Sequence, residues 1–268
     1  MNMKAYGVTS SGTLLSEDDA LVEEYKVNGY AVIENALDIE QVTGYNELAE
    51  EVYSKQQDEF GIDALASIKD LDMARALLAY SDEFLDLVFH EQATALIQKI
   101  LGPYYILSLQ NCIINRPQIE HHQSSWHRDL PYQEFTSSEP LGVNIFYCLC
   151  DFNEETGGTI VLPGSHRLEK FPSKVFVEKH ELQVEARAGS AILFDPMLYH
   201  RAGRNRSNIV RRGINHLFTR AFIKQQISLP RLMKHKVGDL SDFQQQVLGF
   251  GCDVPDSVID WRQCRLRN

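Results

Sequence analysis

The 268-residue sequence has few cysteines, no long apolar run and no leader-like N-terminus. Its five cysteines show no paired zinc-ligand spacing, and the two that lie in an apolar segment are typical of buried free thiols: Cys148 and Cys150. No stretch approaches the roughly twenty apolar residues of a membrane span, and residues 1–6 lack the basic-then-apolar pattern of a signal peptide. We therefore expect a cytoplasmic protein in a reducing environment, without a membrane partner.

Basic residues are scarce relative to acidic ones: 26 Lys and Arg stand against 37 Asp and Glu, for a formal net charge of −11. This balance argues against a nucleic acid or an anionic membrane as a general partner. The basic residues are unevenly spread, because residues 200–238 contain ten Lys or Arg and no Asp or Glu. That segment is either a solvated basic surface or a source of positive electrostatic potential that attracts an anionic small molecule.

The chain also lacks repeats, low-complexity tracts and a Pro- or Ser-rich linker, which predicts one domain spanning residues 1–268. Residues 1–103 are expected to be mostly helical support for the rest. Helical patterns cover four segments and a strand-like run covers a fifth: about 16–27, 38–55, 70–80 and 82–101 for the helices, and 29–34 for the strand.

The pattern of apolar and polar residues changes at residue 104. Short apolar or alternating runs follow one another, separated by Gly, Pro and Asn, as in an antiparallel barrel. We predict a jelly-roll core over residues 104–225 and a helical C-terminal tail over residues 226–268. The expected fold is mainly β with flanking helices, a double-stranded β-helix of the cupin type that carries its helical N-terminal region on the outside.

A candidate metal site begins in the run Trp126-His127-Arg128-Asp129. A His-x-Asp pair places an imidazole and a carboxylate on the same side of an extended strand. His200, from a later strand, completes a 2-His-1-carboxylate set that leaves coordination positions open and suits non-haem Fe(II). Such a pair also arises by chance in an acidic chain with 9 His, so an ordinary hydrogen-bonded His127 is the alternative interpretation.

Four segments together resemble the phytanoyl-CoA dioxygenase family, whose members are Fe(II)- and 2-oxoglutarate-dependent oxygenases: WHRD (126–129), GGTIVLPGSH (157–166), AGSAILFD (188–195) and HRAGRNRS (200–207). The resemblance implies that His127, Asp129 and His200 bind iron. It also implies that Arg211, eleven residues after the second His, holds the distal carboxylate of 2-oxoglutarate, with Arg212 as the alternative. The hydroxyl residue that the family often has two positions after that His is Ala202 here, so its contact is absent or comes from elsewhere.

Strand alternation gives separate support for the arginine. Over residues 211–219 it places Arg211, Gly213 and Asn215 on one face and Arg212 on the other. If Arg211 faces the barrel interior, its planar guanidinium can hold a carboxylate with two hydrogen bonds. An arginine on the outer surface of the strand is the alternative.

The activity that the resemblance implies is oxidative decarboxylation of 2-oxoglutarate with O₂, giving succinate and CO₂, coupled to hydroxylation of a C–H bond in a small molecule. An anionic substrate fits if the basic segment attracts it. Halogenating relatives lack the carboxylate ligand, whereas Asp129 is present here. The alternatives are a cupin-like metalloprotein with non-oxidative, isomerase-type chemistry and a non-catalytic binding scaffold. The sequence identifies neither the substrate nor the oligomeric state.

Three further polar residues precede the iron motif in the sequence. Gln110 lies on the strand before the iron motif, where it could contact the cosubstrate or the substrate, or be an ordinary strand glutamine. We expect His121 and His122, in the polar segment before the motif, to be surface or lid residues and not ligands. Substrate specificity is expected in three loops: 118–125, 132–140 and 166–182.

Overall fold

The structure is a computed structural model that describes residues 12–13, 16–131 and 133–266. Residues 1–6, in which no signal peptide is expected, lie outside the described residues, as does Tyr132 of the 132–140 loop. In the described part, two antiparallel sheets contain β1 (Tyr30–Ile33), β2 (Met73–Arg75), β3 (Tyr105–Asn115), β4 (Gly142–Cys148), β5 (Thr159–Val161), β6 (Leu182–Gln183), β7 (Ala191–Phe194), β8 (His200–Ala202) and β9 (Arg211–Arg220).

The larger sheet has the strand order β1-β7-β4-β9-β3-β2, and the smaller one has the order β6-β5-β8. The helices of the described part are α1 (Glu17–Asn28), α2 (Ile39–Phe60), α3 (Ile62–Ser67), α4 (Glu83–Val88), α5 (Glu91–Leu101), α6 (Lys174–His180), α7 (Leu229–Leu232), α8 (Asp242–Leu248) and α9 (Val258–Leu266). None of the helices in these ranges is both long and apolar enough to cross a bilayer.

Two hydrophobic clusters lie on opposite faces of the larger sheet. On one face, Ile145 of β4 and Phe218 of β9 pack with the helices α1, α2, α4, α5 and α8. On the other face, Phe146 of β4 and Phe194 of β7 pack with Val161 of the smaller sheet. Side chains of a strand alternate between faces, so β1, β2, β3, β4 and β7 each contribute to both clusters. The candidate site lies on the face that is turned away from the helices.

The helices begin and end at residues whose chemistry explains the boundary. Asp38 caps α2 in a capping box, since its side chain accepts from the Gln41 amide and the Gln41 side chain accepts from the Asp38 amide. α1 ends at Gly29, whose φ of 86° is the left-handed conformation that glycine adopts without strain. These two helices form within the segments that the sequence predicts, although α2 continues to Phe60.

Two of the predicted helical segments are wrong in detail. Residues 70–80 form the edge strand β2 and a 3₁₀ turn instead of a helix, because Asp72 and Ala76 have left-handed backbone angles and β2 pairs with β3. Residues 82–101 form two helices, since His90 interrupts them and caps α5 through its Nδ1. The region expected to be mostly helical support therefore contains the strand β2 in addition to β1, which forms within the predicted segment 29–34.

Close backbone packing fixes the strand that carries His200. A Cβ placed on Gly157, whose φ is +70°, would lie 2.5 Å from the Asn205 nitrogen and 2.6 Å from the Gly203 oxygen. The Gly203 amide donates to the Gly158 carbonyl at 2.9 Å, and Asn115 donates to the Gly203 carbonyl at 2.9 Å. The segment after β8 thus passes over residues 157–158 with no room for a side chain.

Gly157→Ala is expected to lower the free energy of unfolding by roughly 2–4 kcal/mol, because the positive φ and the overlap with backbone both oppose the new methyl group. Gly164→Ala is the matched control, since Gly164 has a φ of +75° but nothing within 4 Å of the point where a methyl group would lie. The control should lose about 1 kcal/mol, from strain alone. Urea unfolding measures both, and equal losses in the two variants would contradict the packing argument.

Candidate active site

Antiparallel pairing brings the three candidate metal ligands together. His127 and His200 exchange backbone hydrogen bonds of 3.0 and 3.1 Å, and the Asp129 amide donates to the Pro196 carbonyl at 2.9 Å. The segment with the His-x-Asp pair is thereby held alongside the segment that leads into β8. Because His127 and Asp129 are two residues apart on an extended backbone, both side chains turn to the same side as His200.

The ligand atoms converge on one point. The Asp129 Oδ1 atom lies 3.8 Å from the His127 Nε2 atom and 3.5 Å from the His200 Nε2 atom. All three ligand atoms lie within 4.8 Å of one another. His127 Nδ1 lies 2.8 Å from the Ser125 carbonyl oxygen and His200 Nδ1 lies 2.9 Å from the Leu198 carbonyl oxygen. Each Nδ1–H therefore donates to a carbonyl, which leaves each Nε2 lone pair directed at the centre.

Electrostatics also fit a bound cation. Burial lowers the pKa of His127 to about 4, so this imidazole is neutral at physiological pH, as a ligand must be. Burial alone would lower the pKa of His200, but the neighbouring Asp129 raises it above its ordinary value. Burial would raise the pKa of Asp129, but His200 and His127 hold it below its ordinary value. A divalent cation would replace the proton that His200 and Asp129 favour, and two imidazoles with one carboxylate suit Fe(II).

Arg211 lies in the same cavity as the three ligands. Its side chain is 1% exposed, and its guanidinium carbon lies 4.5 Å from the centre of the Phe152 ring. Burial lowers the pKa of Arg211 to about 10, and no carboxylate among the described residues forms an ion pair with it. Its Nε atom is buried and has no hydrogen-bond partner there. A buried cation without a counter-ion is the feature expected of an anchor for an anionic ligand.

The two faces of β9 are as the alternation predicts. Arg211 and Asn215 line the cavity, whereas Arg212 is turned outward and forms an ion pair with Glu50 of α2. Arg212, the alternative anchor, is therefore committed elsewhere. Ala202 lines the cavity and offers no hydroxyl group, but Thr159 is its register partner in the smaller sheet and lines the same cavity. The remaining lining residues are Ile113, Gln123, Phe146, Phe194 and Arg201.

The structure does not place Gln110 in the site. Gln110 pairs in register with His216, and its side chain faces the helices, where it accepts from the Leu78 amide at 2.7 Å. Its Nε2 atom lies 2.7 Å from His216 Nε2 and donates to the Phe84 carbonyl at 3.2 Å. The prediction that Gln110 contacts the cosubstrate or substrate is therefore wrong, because a strand residue cannot present its side chain to both faces of the sheet.

His121 also differs from expectation. It is 7% exposed and therefore not a surface residue, and burial lowers its pKa to about 3, whereas His122 is exposed as expected. Its ring lies 4.3 Å from that of His122, and its Nδ1 accepts from the Gln123 amide at 3.2 Å. Sequence reasoning also missed Asn144, a fully buried polar residue in the otherwise apolar strand β4. A single amide in such a run was the available signal.

Half of the basic side chains in segment 200–238 form ion pairs with acids from other parts of the chain. Four ion pairs on it are Arg201–Glu181, Arg206–Glu154, Arg231–Asp256 and Lys236–Asp82. Together with Arg212–Glu50, these pairs neutralise five of the ten basic side chains. The solvated-surface interpretation therefore accounts for much of this segment, and the positive charge that faces the cavity is concentrated at Arg211.

Comparison with known proteins agrees with this geometry. The family model for phytanoyl-CoA dioxygenase (PhyH) matches residues 25–213. The chain belongs to the phytanoyl-CoA dioxygenase family. An uncharacterized protein of Mycobacterium tuberculosis is 31% identical over 243 residues, covering 88% of each chain. The peroxisomal phytanoyl-CoA dioxygenase of Homo sapiens is 23% identical over 230 residues, covering 74% of this chain and 67% of the human protein.

A solved structure shows a similar fold. The epimerase SnoN, in complex with Fe³⁺, α-ketoglutarate (2-oxoglutarate) and nogalamycin RO, is 18% identical, with a TM-score of 0.59 over 76% of this chain and 84% of SnoN. The phytanoyl-CoA dioxygenase family and the His-Asp-His cluster together identify an enzyme of the Fe/2-oxoglutarate-dependent oxygenase type. The family match, which ends at residue 213, includes all four residues of the site.

Arg211→Met is expected to stabilise the ligand-free protein by roughly 1–3 kcal/mol, because it removes a buried charge that lacks a counter-ion. Arg212→Met is the control on the opposite face, where loss of the pair with Glu50 should cost about 0–1 kcal/mol. Urea unfolding without metal or cosubstrate measures both. If Arg211→Met destabilised the protein as much as a large-to-small substitution in the core, Arg211 would be a structural residue and not a residue that binds an anionic ligand.

His216→Phe is expected to flatten the dependence of stability on pH. Burial lowers the pKa of His216 to about 3, so only the unfolded state takes up a proton as the pH falls from about 6.5. The stability from the neutral imidazole is therefore complete above that pH and decreases towards pH 3. Between pH 7 and 5, the wild type should lose about 2 kcal/mol more than the variant, as measured by urea unfolding in EDTA. Parallel curves would show that His216 does not titrate in this way.

Proposed function

We propose that the protein is an Fe(II)- and 2-oxoglutarate-dependent dioxygenase that hydroxylates a C–H bond of a small molecule and releases succinate and CO₂. The observation that carries the proposal is a single cavity containing His127, Asp129 and His200 together with the unpaired Arg211. Three ligands leave room at the metal for a chelating cosubstrate and O₂. A buried guanidinium in the same cavity supplies the charge that a dicarboxylate requires at its far end.

Each residue has a role that follows from its position. His127, Asp129 and His200 would hold the iron, which when bound activates O₂ beside the cosubstrate and supplies the oxidising power. The carbonyls of Ser125 and Leu198 orient the imidazoles by accepting from their Nδ1–H groups. Arg211 would bind the distal carboxylate, and the apolar walls around it exclude water, which strengthens that ion pair.

Thr159 is a candidate for the contact that Ala202 cannot make. Its side chain is 4% exposed and lines the cavity directly opposite Ala202 in the register of β5 and β8. The family often has a hydroxyl residue at the position of Ala202, so a hydroxyl from the neighbouring strand reaches a similar part of the cavity. We propose that Thr159 assists Arg211 in binding the cosubstrate.

Arg128, between two of the ligands in sequence, organises the loops beside the site. Its buried guanidinium donates to the carbonyls of Met197 at 2.7 Å, Gln133 at 2.6 Å and Ser165 at 3.0 Å, and also to that of Leu168. One cation thereby ties parts of the 132–140 and 166–182 loops to the segment that carries His127 and Asp129. We propose that these loops determine substrate specificity, since Arg128 fastens them to the segment that carries two of the candidate ligands.

The proposals for the fold, the domain organisation, the substrate class and the location are consistent with this function. We infer that the two sheets form a double-stranded β-helix and that residues 1–268 act as one catalytic domain, because both sheets and their ligands enclose one cavity. A small-molecule substrate follows from the family. We further propose a cytoplasmic location, which the buried free thiols of Cys112 and Cys148 support.

Other reactions with the same ligand set are to be distinguished from hydroxylation. The epimerase SnoN shares the fold, so an oxidative outcome other than hydroxylation is the second candidate. Non-oxidative isomerase-type chemistry and a non-catalytic scaffold are less well supported, because neither uses a buried Arg211 in the metal cavity. The oxidative reactions all consume 2-oxoglutarate, and this shared requirement gives the first test.

Arg211→Met is expected to weaken 2-oxoglutarate binding by about 10²-fold or more, because it removes two charge-assisted hydrogen bonds worth roughly 1.5–3 kcal/mol each. Calorimetry under anaerobic conditions with Fe(II) measures the binding, and succinate released in air without added substrate measures turnover. Arg212→Met should match the wild type in both measurements. Wild-type protein that bound no 2-oxoglutarate would refute the proposed function, and full activity in Arg211→Met would refute the role of the anchor.

A further inference from the structure

Two buried asparagines lie next to the candidate metal ligands and belong to neighbouring strands. Asn144 of β4 is 0% exposed and Asn215 of β9 is 8% exposed. The Asn215 Nδ2 atom donates to the Asn144 Oδ1 atom at 2.9 Å. Amides in the interior of a sheet are costly unless their hydrogen bonds are satisfied, so their presence between apolar neighbours calls for a physical reason.

The pair extends towards Asp129. The Oδ1 atom of Asp129 faces both imidazoles, which leaves Oδ2 as its second oxygen. That Oδ2 atom is buried and has no hydrogen-bond partner in the described residues, and the same is true of the Asn144 Nδ2 atom. The Asn144 amide is nevertheless close enough to help lower the pKa of Asp129, after the larger effects of burial and of the two histidines.

The carboxylate sets the direction of the whole arrangement. An ionised Asp129 only accepts hydrogen bonds, so Asn144 must turn its NH₂ group towards it and its carbonyl away from it. That carbonyl then needs a donor, which obliges Asn215 to present its own NH₂ group to Asn144. The last atom, Asn215 Oδ1, is buried without a partner among the described residues, and its side chain lines the cavity.

We propose that Asn144 and Asn215 are positioning residues that form a one-way hydrogen-bond chain behind Asp129. In this chain the Asn144 NH₂ group donates to Oδ2 of Asp129. Oδ1 then stays turned towards the two histidines, so that the carboxylate offers one oxygen to the metal. Asn215 acts at a distance, through Asn144, and neither asparagine is a metal ligand. The inference rests on the proposed function only in taking Asp129 to be a metal ligand.

The expected effect is on metal affinity. Groups that orient a ligating side chain contribute about 10–100-fold to metal binding or activity. Asn144→Leu should therefore weaken the binding of Co(II), a spectroscopically visible divalent probe, by about that factor. Asn144→Ser, which is smaller and keeps a polar group but cannot reach Asp129 and Asn215 together, serves if the leucine variant fails to fold.

Asn215→Asp gives the sharper test, because two explanations predict opposite signs. The ionised carboxylate that this variant carries cannot donate, so Asn144 would turn its NH₂ group to it and present a carbonyl to Asp129. The chain therefore predicts weaker Co(II) binding, by about 10-fold. A simple charge effect predicts tighter binding, because a new carboxylate near the cavity attracts a cation. Unchanged or tighter binding would overturn the proposal.

Thr219→Val is the matched control. Thr219 lies four residues after Asn215 on the same face of β9, is 0% exposed, and has a buried Oγ1 atom without a partner in the described residues. It is not part of the chain, so its variant should bind Co(II) within about twofold of the wild type. A loss comparable to that of Asn215→Asp would mean that any change in this strand disturbs the site, which would overturn the specific role of the asparagines.

A metal-free measurement separates this inference from the proposed function. In urea unfolding with EDTA, the shift in midpoint for the Asn144→Leu/Asn215→Leu double variant should be smaller than the sum of the two single shifts, because the bond between them is lost only once. Additive shifts would contradict the chain. If the wild type bound no Co(II), the proposed function would fail, while the coupling between the two asparagines would still be decided by this measurement.

Discussion

The site depends on one short piece of backbone pairing. Two hydrogen bonds between His127 and His200, and a third from Asp129 to Pro196, align the two segments that supply all three candidate ligands. The ligand geometry is therefore set by peptide groups, which are rigid, and not by loops. Orientation of each imidazole by a carbonyl two residues before it in its own segment adds to this, because the same local backbone positions both the ligand and its support.

Buried charge is the second organising principle, and the two arginines that are buried among the described residues have opposite environments. Arg128 is surrounded by carbonyl oxygens that occupy its donors, so it contributes to order in the neighbouring loops. Arg211 lies against the face of an aromatic ring, and its Nε atom has no hydrogen-bonded acceptor among the described residues. The first arginine is a structural element, whereas the second carries an unfavourable desolvation that a bound anionic ligand would relieve.

Much of the site could be predicted from the sequence, because its signals are local. Spacing alone put His127 and Asp129 on one side of a strand, and alternation separated Arg211 from Arg212. Gln110 could not be placed in this way, since the phase of β3 depends on its register with β9 and on an irregularity between Leu107 and Leu109. The prediction of a helix over residues 70–80 was wrong for a related reason, because left-handed backbone angles at an edge strand are imposed by tertiary pairing. The direction of the Asn144–Asn215 amides likewise depends on a carboxylate that is distant in sequence.

The contact between Gly157 and Gly203 has a consequence for how this enzyme can change. Two backbones that touch with no side chain between them cannot be moved apart by small steps, since the smallest addition already displaces the strand that ends in Ala202. The candidate site thus tolerates little gradual variation on that side. Variation is accommodated more easily in the loops that Arg128 holds, because its hydrogen bonds go to peptide oxygens that every amino acid provides.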